Sequence, residues 1–322
     1  MKVVVTGAGG FIGSHLCRYL KDKGYWVRAV DTKWDNYITG YADQFVTLDL
    51  RKAKSSVQAV KGMDRVYNLA ANMGGIGYIT SVKAEVMRDN VLINVNMLEA
   101  TRKHKVDKYF FSSSACVYPT YKQESPEVLP LSEADAYPAD PDNEYGWEKL
   151  FTERLCMDYA EDFGLEFRIA RFHNIYGPEG TFKGGREKAP AALCRKIAEA
   201  SNPGKITIWG DGKQTRSFCY IDDCIRGIEA LMESDYAEPL NIGSDRLVTI
   251  DELADMIIKI SGKKITKEYD LTKPQGVRGR NADLSFVSKV IGWKPIVSLE
   301  QGLERTYRWI EKKVLEDRNT KD

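Results

Sequence analysis

No stretch of the sequence approaches the ~20 consecutive apolar residues needed to cross a bilayer, so no spanning helix is expected. Charge of one sign is not in surplus either. The 47 Lys and Arg stand against 46 Asp and Glu, a formal net charge of +1, which leaves no electrostatic footprint for nucleic acid or an anionic membrane. The six cysteines, at positions 17, 116, 156, 194, 219 and 224, form no Cys-x-x-Cys and have no histidine at metal-ligand spacing. A disulfide framework and a metal site are therefore not expected, and a reducing, cytoplasmic setting is the default. Of the three histidines, only His173 falls among candidate site residues. The first strand-like run starts at Lys2, so no leader segment is expected.

What is present describes an ordinary globular chain, 43% hydrophobic and 29% charged. At 322 residues it exceeds what one core usually holds, so a large domain plus a smaller lobe is expected. Short apolar runs alternate with amphipathic stretches. Strands are predicted at Lys2 to Thr6, Trp26 to Val30, Phe45 to Leu48, Arg65 to Leu69, Lys108 to Ser112 and Glu166 to Arg171. Helices fall between them, the longest around Val82 to His104. That rhythm predicts an α/β fold with a doubly wound parallel sheet. The segment Thr215 to Glu233 is expected to return to the first domain by strand and helix, with the chain from Pro239 staying mostly with the smaller lobe.

Gly7-x-x-Gly10-Phe11-Ile12-Gly13 lies between a strand and a helix, where bare backbone lets a pyrophosphate approach the helix N-terminus. Asp31 ends the next strand, placed to accept hydrogen bonds from ribose hydroxyls and to repel a 2′-phosphate, which favours NAD over NADP. Lys33 close behind weakens that preference. Asp49 and Leu50 are positioned to meet adenine with a side-chain acceptor and a backbone donor, although a plain loop aspartate is the simpler reading. Tyr145 and Lys149, four apart on one helical face, follow the cluster Ser112-Ser113-Ser114. A lysine beside a phenol draws its pKa down from about 10, so Ser114, Tyr145 and Lys149 suit removal of an alcohol proton during hydride transfer. Taken alone, the tyrosine and lysine are an ordinary surface pair.

The joint pattern resembles the extended short-chain dehydrogenase/reductase family, whose members act on nucleotide sugars, and the likeness covers essentially the whole chain. It implies a Rossmann-type doubly wound sheet with a smaller α/β C-terminal substrate lobe, bound NAD, and a homodimer formed through helices near Val91 to Ala100 and Leu150 to Tyr159. The dinucleotide domain is assigned to 1–171 plus about 214–238, and the sugar lobe to 172–213 plus about 239–322. Ser114, Tyr145 and Lys149 take the family's catalytic positions. Where related dehydratases carry an Asp-Glu pair, this chain has Ala115 and Cys116, so the acid that dehydration needs is missing.

A thiol with a pKa near 8.5 beside a cationic cofactor can ionise and act as a base; a buried structural cysteine is the plainer reading. The opposite ring face needs an acid. Lys188, after Gly184 and Gly185 at a helix start, is the candidate, against the alternative of a solvated loop lysine. Arg216 and Arg280 are guanidinium forks suited to a diphosphate. A closer likeness, within the family, to enzymes acting on GDP-linked hexoses implies that Cys116 and Lys188 are an acid/base pair at carbon. It also implies that Gly74, Ser114, Ala115, Cys116, Asn174, Glu187, Lys188, Ala189, Lys196, Gln214, Thr215, Arg216 and Arg280 line a GDP-sugar. The alternatives are a 4-epimerase of UDP-hexoses, which needs no carbon acid/base pair, and a non-catalytic dinucleotide-binding protein.

Overall fold

In the computed structural model, which describes residues 1–34 and 40–319, the apolar runs of the first half become the strands β1 (Lys2–Thr6), β2 (Trp26–Asp31), β3 (Gln44–Thr47), β4 (Arg65–Asn68), β5 (Lys108–Ser114) and β6 (Phe167–Phe172). The helices α1 (Phe11–Asp22), α2 (Ala53–Val60), α3 (Ile76–Ser81), α4 (Lys83–Lys103) and α5 (Glu144–Phe163) connect them. The strands form a parallel sheet of seven in the order Pro239–Ile242, β6, β5, β4, β1, β2, β3. Parallel strands covered on both faces carry continuous apolar runs. Accordingly Val3 and Val5 enter the core beneath α1, with Leu16 and Leu20, while Val4 enters the opposite one with Met97 and Leu98 of α4.

The smaller lobe contains α6 (Ala189–Glu199), a parallel pair of strands at Gly204–Trp209 and Ile265–Asp270, and a three-stranded sheet. In that sheet Thr215–Ser217 lies between Leu247–Thr249 and Gly279–Arg280. Two of its elements differ from the sequence expectation. The strand Thr215–Ser217 belongs to this small sheet, and the chain re-enters the large domain only with α7 (Ile221–Glu233), which packs on β6 and α1. The run Pro239–Ile242, assigned to the small lobe, instead pairs in parallel with β6. Asn241 interrupts its apolar pattern, but the amide is satisfied inside the core. It donates to the Leu131 carbonyl at 2.9 Å and the Asp283 carbonyl at 3.2 Å, and its oxygen accepts from the Tyr118 hydroxyl at 2.6 Å. A fully bonded polar group can occupy a buried edge strand at little cost.

The active end of α5 is fixed by its cap. Asn143 accepts the Gly146 N–H at 3.0 Å, and Gly164 ends the helix in the left-handed region. Tyr145 thus falls in the first turn and Lys149 one turn on.

Candidate functional site

The glycine-rich turn is a cradle that side chains would fill. A Cβ at Gly13 would lie 2.1 Å from the Gly7 carbonyl oxygen, and one at Gly9 would lie 2.1 Å from that of Lys33. Gly10 caps α1 without any side-chain acceptor, so the N–H groups of Phe11, Ile12 and Gly13 point at an open anion site. Asp31 closes the cradle. Its carboxylate accepts the Gly9 N–H at 2.8 Å and the Thr32 N–H at 2.6 Å, and burial raises its pKa. These residues fit a dinucleotide. Gly9, which lies inside the motif but outside its spaced glycines, is the position that lets the turn reach Asp31. Asp49 is already held: Arg51 forks onto it at 2.9 and 3.1 Å, lowering its pKa, while Leu50 is buried.

β5 delivers Ser114 to the sheet's carboxyl edge, where it caps a single turn, Ala115–Val117, by accepting the Cys116 N–H at 3.2 Å. Gly146 lets α5 press directly on that turn; a Cβ there would lie 2.1 Å from the Cys116 carbonyl oxygen. This contact brings Ser114, Cys116, Tyr145 and Lys149 together. The Lys149 ammonium lies 5.3 Å from the centroid of the Tyr145 ring, 4.7 Å from that of Phe111 and 3.6 Å from Glu148 Oε1. The expected drop of the Tyr145 pKa is not what this arrangement produces. Burial pushes the phenol well above its usual range and the Glu148 charge adds to the rise, with only the Ser114 hydrogen bond opposing it. The carboxylate that sequence reasoning passed over offsets the ammonium.

Across the cleft, Arg280 is buried and its Nη1 lies 3.4 Å from the Cys116 sulfur; its Nε donates to Gln123 at 2.5 Å. Its Nη2 lacks a hydrogen bond, and Asp142 is 3.6 Å away. Among the described residues, Arg216 donates only to backbone carbonyls, those of Thr215 and Val277 at 2.7 Å and of Gln275 at 3.3 Å. Desolvation, aided by Arg280, lowers its pKa to about 9. Lys188 caps α6 and keeps accessible surface, yet it stands among these charges. Desolvation lowers its pKa, with Cys116 opposing and Arg280 reinforcing the shift. Three cations with one distant carboxylate make a site for a polyanion.

The loop carrying Lys188 is docked on the segment after β4. The Gly75 N–H donates to the Arg186 carbonyl at 3.0 Å, and a Cβ at Gly75 would lie 2.5 Å from the Glu187 carbonyl oxygen. The Arg186 guanidinium stacks 3.7 Å from the Tyr78 ring centroid. Gly74 next to it leaves room for Tyr78, whose ring begins 2.9 Å from where a Cβ would sit.

The other expected lining residues divide. Among the described residues, Glu187 Oε2 and Gln214 Oε1 are buried without a hydrogen-bond partner, as is Oγ of Ser217, which the sequence did not single out; such groups suit a ligand. Asn174, at φ +45°, donates to the Ser217 carbonyl at 2.9 Å. Thr215 donates to the Pro126 carbonyl at 2.5 Å, and Lys196 to that of Thr207 at 2.6 Å. Ala115 is buried and Ala189 opens α6. His173 is a structural group: fully buried, 2.8 Å from Asn241 Oδ1 and pushed by burial to about 3, it stays neutral. Among the described residues no helix is long and apolar enough to cross a membrane.

Residues 3–243 match the model of the NAD dependent epimerase/dehydratase family. A GDP-mannose 3,5-epimerase of Arabidopsis thaliana is 46% identical over 98% of this chain and 83% of its own. Among solved structures, a UDP-glucose 4-epimerase of Thermotoga maritima with UDP-glucose superimposes with a TM-score of 0.89 at 27% identity, covering 98% of this chain and 100% of its own. A UDP-glucuronic acid 4-epimerase of Bacillus cereus, in complex with UDP-glucuronic acid and NAD, does so at 0.83 and 32% identity, covering 97% and 100%.

Proposed function

Since the chain belongs to the NAD dependent epimerase/dehydratase family, we propose that it is a GDP-mannose 3,5-epimerase, converting GDP-α-D-mannose to GDP-β-L-galactose with GDP-L-gulose as by-product. The observation that carries this reading is Cys116. It follows Ser114 by one tight turn, touches the Arg280 guanidinium at 3.4 Å and shares its cleft with Lys188.

NAD supplies a reversible hydride acceptor for C4 of the hexose. Ser114 orients the 4-hydroxyl and Tyr145 accepts its proton. The ketone at C4 acidifies the hydrogens on C3 and C5, because each carbanion is stabilised as an enolate. Cys116 removes the proton from one face as thiolate. Lys188 delivers one to the other, and its lowered pKa suits it to giving a proton up. Return of the hydride to C4, with Tyr145 giving its proton back to the 4-oxygen, makes the net reaction redox-neutral. Arg216 and Arg280 hold the diphosphate, and Glu187, Lys196 and Gln214 lie along the rest of the nucleotide.

We place the dinucleotide on the large domain, with α7 and Pro239–Ile242, and the sugar nucleotide against the smaller lobe. A homodimer through α4 and α5 is supported by apolar side chains left exposed on these packed helices, Leu92 and Val95 on one and Trp147 and Phe151 on the other. Six free cysteines suit a reducing, cytoplasmic setting. NMR of products from GDP-mannose and UDP-glucose tests the assignment. Formation of GDP-L-galactose and GDP-L-gulose from the first is expected. Turnover of UDP-glucose with GDP-mannose untouched would overturn it in favour of a 4-epimerase.

A further inference from the structure

One ionisable side chain beside the redox pair has no part in the scheme above. Glu148 has no exposed surface and directly precedes Lys149 in α5. A carboxylate leaves water only where its charge is met and its oxygens are hydrogen-bonded. Both kinds of partner are present, although burial outweighs them and raises the carboxyl's pKa. From α4, Asn90 Nδ2 donates to Oε1 at 2.9 Å and Asn94 Nδ2 to Oε2 at 3.2 Å, while Lys149 Nζ stands 3.6 Å from Oε1. Asn90 is anchored in turn to Asn72, accepting its N–H at 2.6 Å and donating to its carbonyl at 3.1 Å. Three elements thus fix the carboxylate before any ligand arrives.

We propose that Glu148 is a positioning residue of the redox pair: its clamped carboxylate acts as counter-ion to Lys149 and keeps Tyr145 protonated until a second cation, the oxidised nicotinamide, enters. With one cation and one anion beside it, the buried phenol has no net charge to drive ionisation. The cofactor's charge breaks that balance, so the base exists only when a hydride acceptor is in place. The inference rests on reading Tyr145 as the proton acceptor at C4.

The other groups around Tyr145 do not supply this control. Ser114, at the end of β5, offers a neutral hydroxyl that lowers the phenol's pKa, while Cys116 beyond it, engaged by Arg280, adds a rise smaller than that from Glu148. Asp89, on α4, is taken by Arg88 and Arg51 at 2.8 and 3.1 Å. Lys188 and Arg280 lie on the far side of the cleft, with Arg280 Nη1 3.4 Å from the Cys116 sulfur. Glu148 is the next-largest cause, after burial, of the raised Tyr145 pKa.

The test follows tyrosine ionisation by ultraviolet absorbance in cofactor-free protein. Glu148→Gln keeps the shape and removes the charge. It should bring one tyrosine titration down by roughly one pH unit or more, tenfold in proton affinity. That component should be absent from Glu148→Gln/Tyr145→Phe, and Glu148→Asp should restore the wild-type curve. A second measurement needs no variant: calorimetry of the wild type in buffers of different ionisation enthalpy should show more proton release on binding NAD+ than on binding NADH. A Glu148→Gln titration that overlays the wild type, or equal proton release for the two cofactor forms, would overturn the proposal. Neither measurement contains a sugar nucleotide, so both are independent of the substrate assignment.

Discussion

On the dinucleotide wall of the cleft the buried charges meet partners within the protein, Glu148 with Lys149 at 3.6 Å and Glu153 with Arg171 at 2.7 Å. On the sugar wall Arg216 finds only carbonyls, Arg280 stands 3.6 Å from Asp142, and Glu187, Gln214 and Ser217 each bury an unpartnered oxygen. A paired charge is already in its working position, whereas an unpaired one is strained until a ligand completes it. The first wall is therefore preorganised for chemistry common to the whole family. The second suits the ligand we propose, which carries two phosphates and several polar groups.

The largest effect expected from breaking this contrast comes from the reacting group itself. Cys116→Ala should lower formation of both epimerised products by about 10²–10⁴-fold, the range for loss of a positioned acid or base, while reversible C4 oxidation continues. A parallel loss of C4 oxidation, read by nicotinamide absorbance at 340 nm, would show that the thiol serves the redox wall instead.

Next come the unpaired cations. Arg216→Met removes charge-assisted bonds worth about 1.5–3 kcal/mol each, so affinity for GDP-mannose should fall by roughly tenfold or more. The same change should leave the thermal stability of ligand-free protein unchanged or raised, because an uncompensated charge has been removed. A calorimetric melt that falls by several degrees without ligand would mean that the arginine is structural.

The loop contact sharpens the comparison further. Arg186→Ala loosens the seat of Lys188 without touching the dinucleotide wall, so solvent exchange at carbon should slow by about tenfold at unchanged C4 oxidation. Equal slowing of the two steps would contradict a role confined to the sugar wall.

The last test concerns stability against pH, where the effect per pH unit is no larger than about a tenfold change. His173 is held neutral, its folded pKa at about 3 against 6.5 when unfolded. Below pH 6.5 the unfolded chain takes up a proton that the folded imidazole refuses. Stability is therefore lost as pH falls from 6.5 toward 3, by up to about 1.4 kcal/mol per unit. His173→Asn should flatten that part of the melting curve, and an unchanged slope would locate the acid sensitivity elsewhere.

The sheet was legible in the sequence because fully buried parallel strands write themselves as unbroken apolar runs, as at Val3 to Val5 and Tyr109 to Phe111. The cradle was legible because only glycine tolerates the contacts at Gly9 and Gly13. Two strands were misplaced for the converse reason. Asn241 hides the sheet's edge strand behind a polar residue whose bonds come from distant segments, and Thr215–Ser217 is too short and mixed to declare a lobe. The residues we propose as catalytic, among them Ser114, Cys116, Tyr145 and Lys188, could be named from spacing and likeness. The sign of the Tyr145 shift could not be read that way. It depends on burial and on a carboxylate whose partners, Asn90 and Asn94, lie on another helix.

The central claim is that two neighbouring carbons exchange their hydrogens with solvent while the hydride at C4 is retained. Incubation of the protein with GDP-mannose in heavy water, followed by NMR of the nucleotide sugars, tests it most directly. The account predicts deuterium at C3 and C5 and none at C4 with the wild type. Epimerised product carrying protium at both C3 and C5 would contradict it.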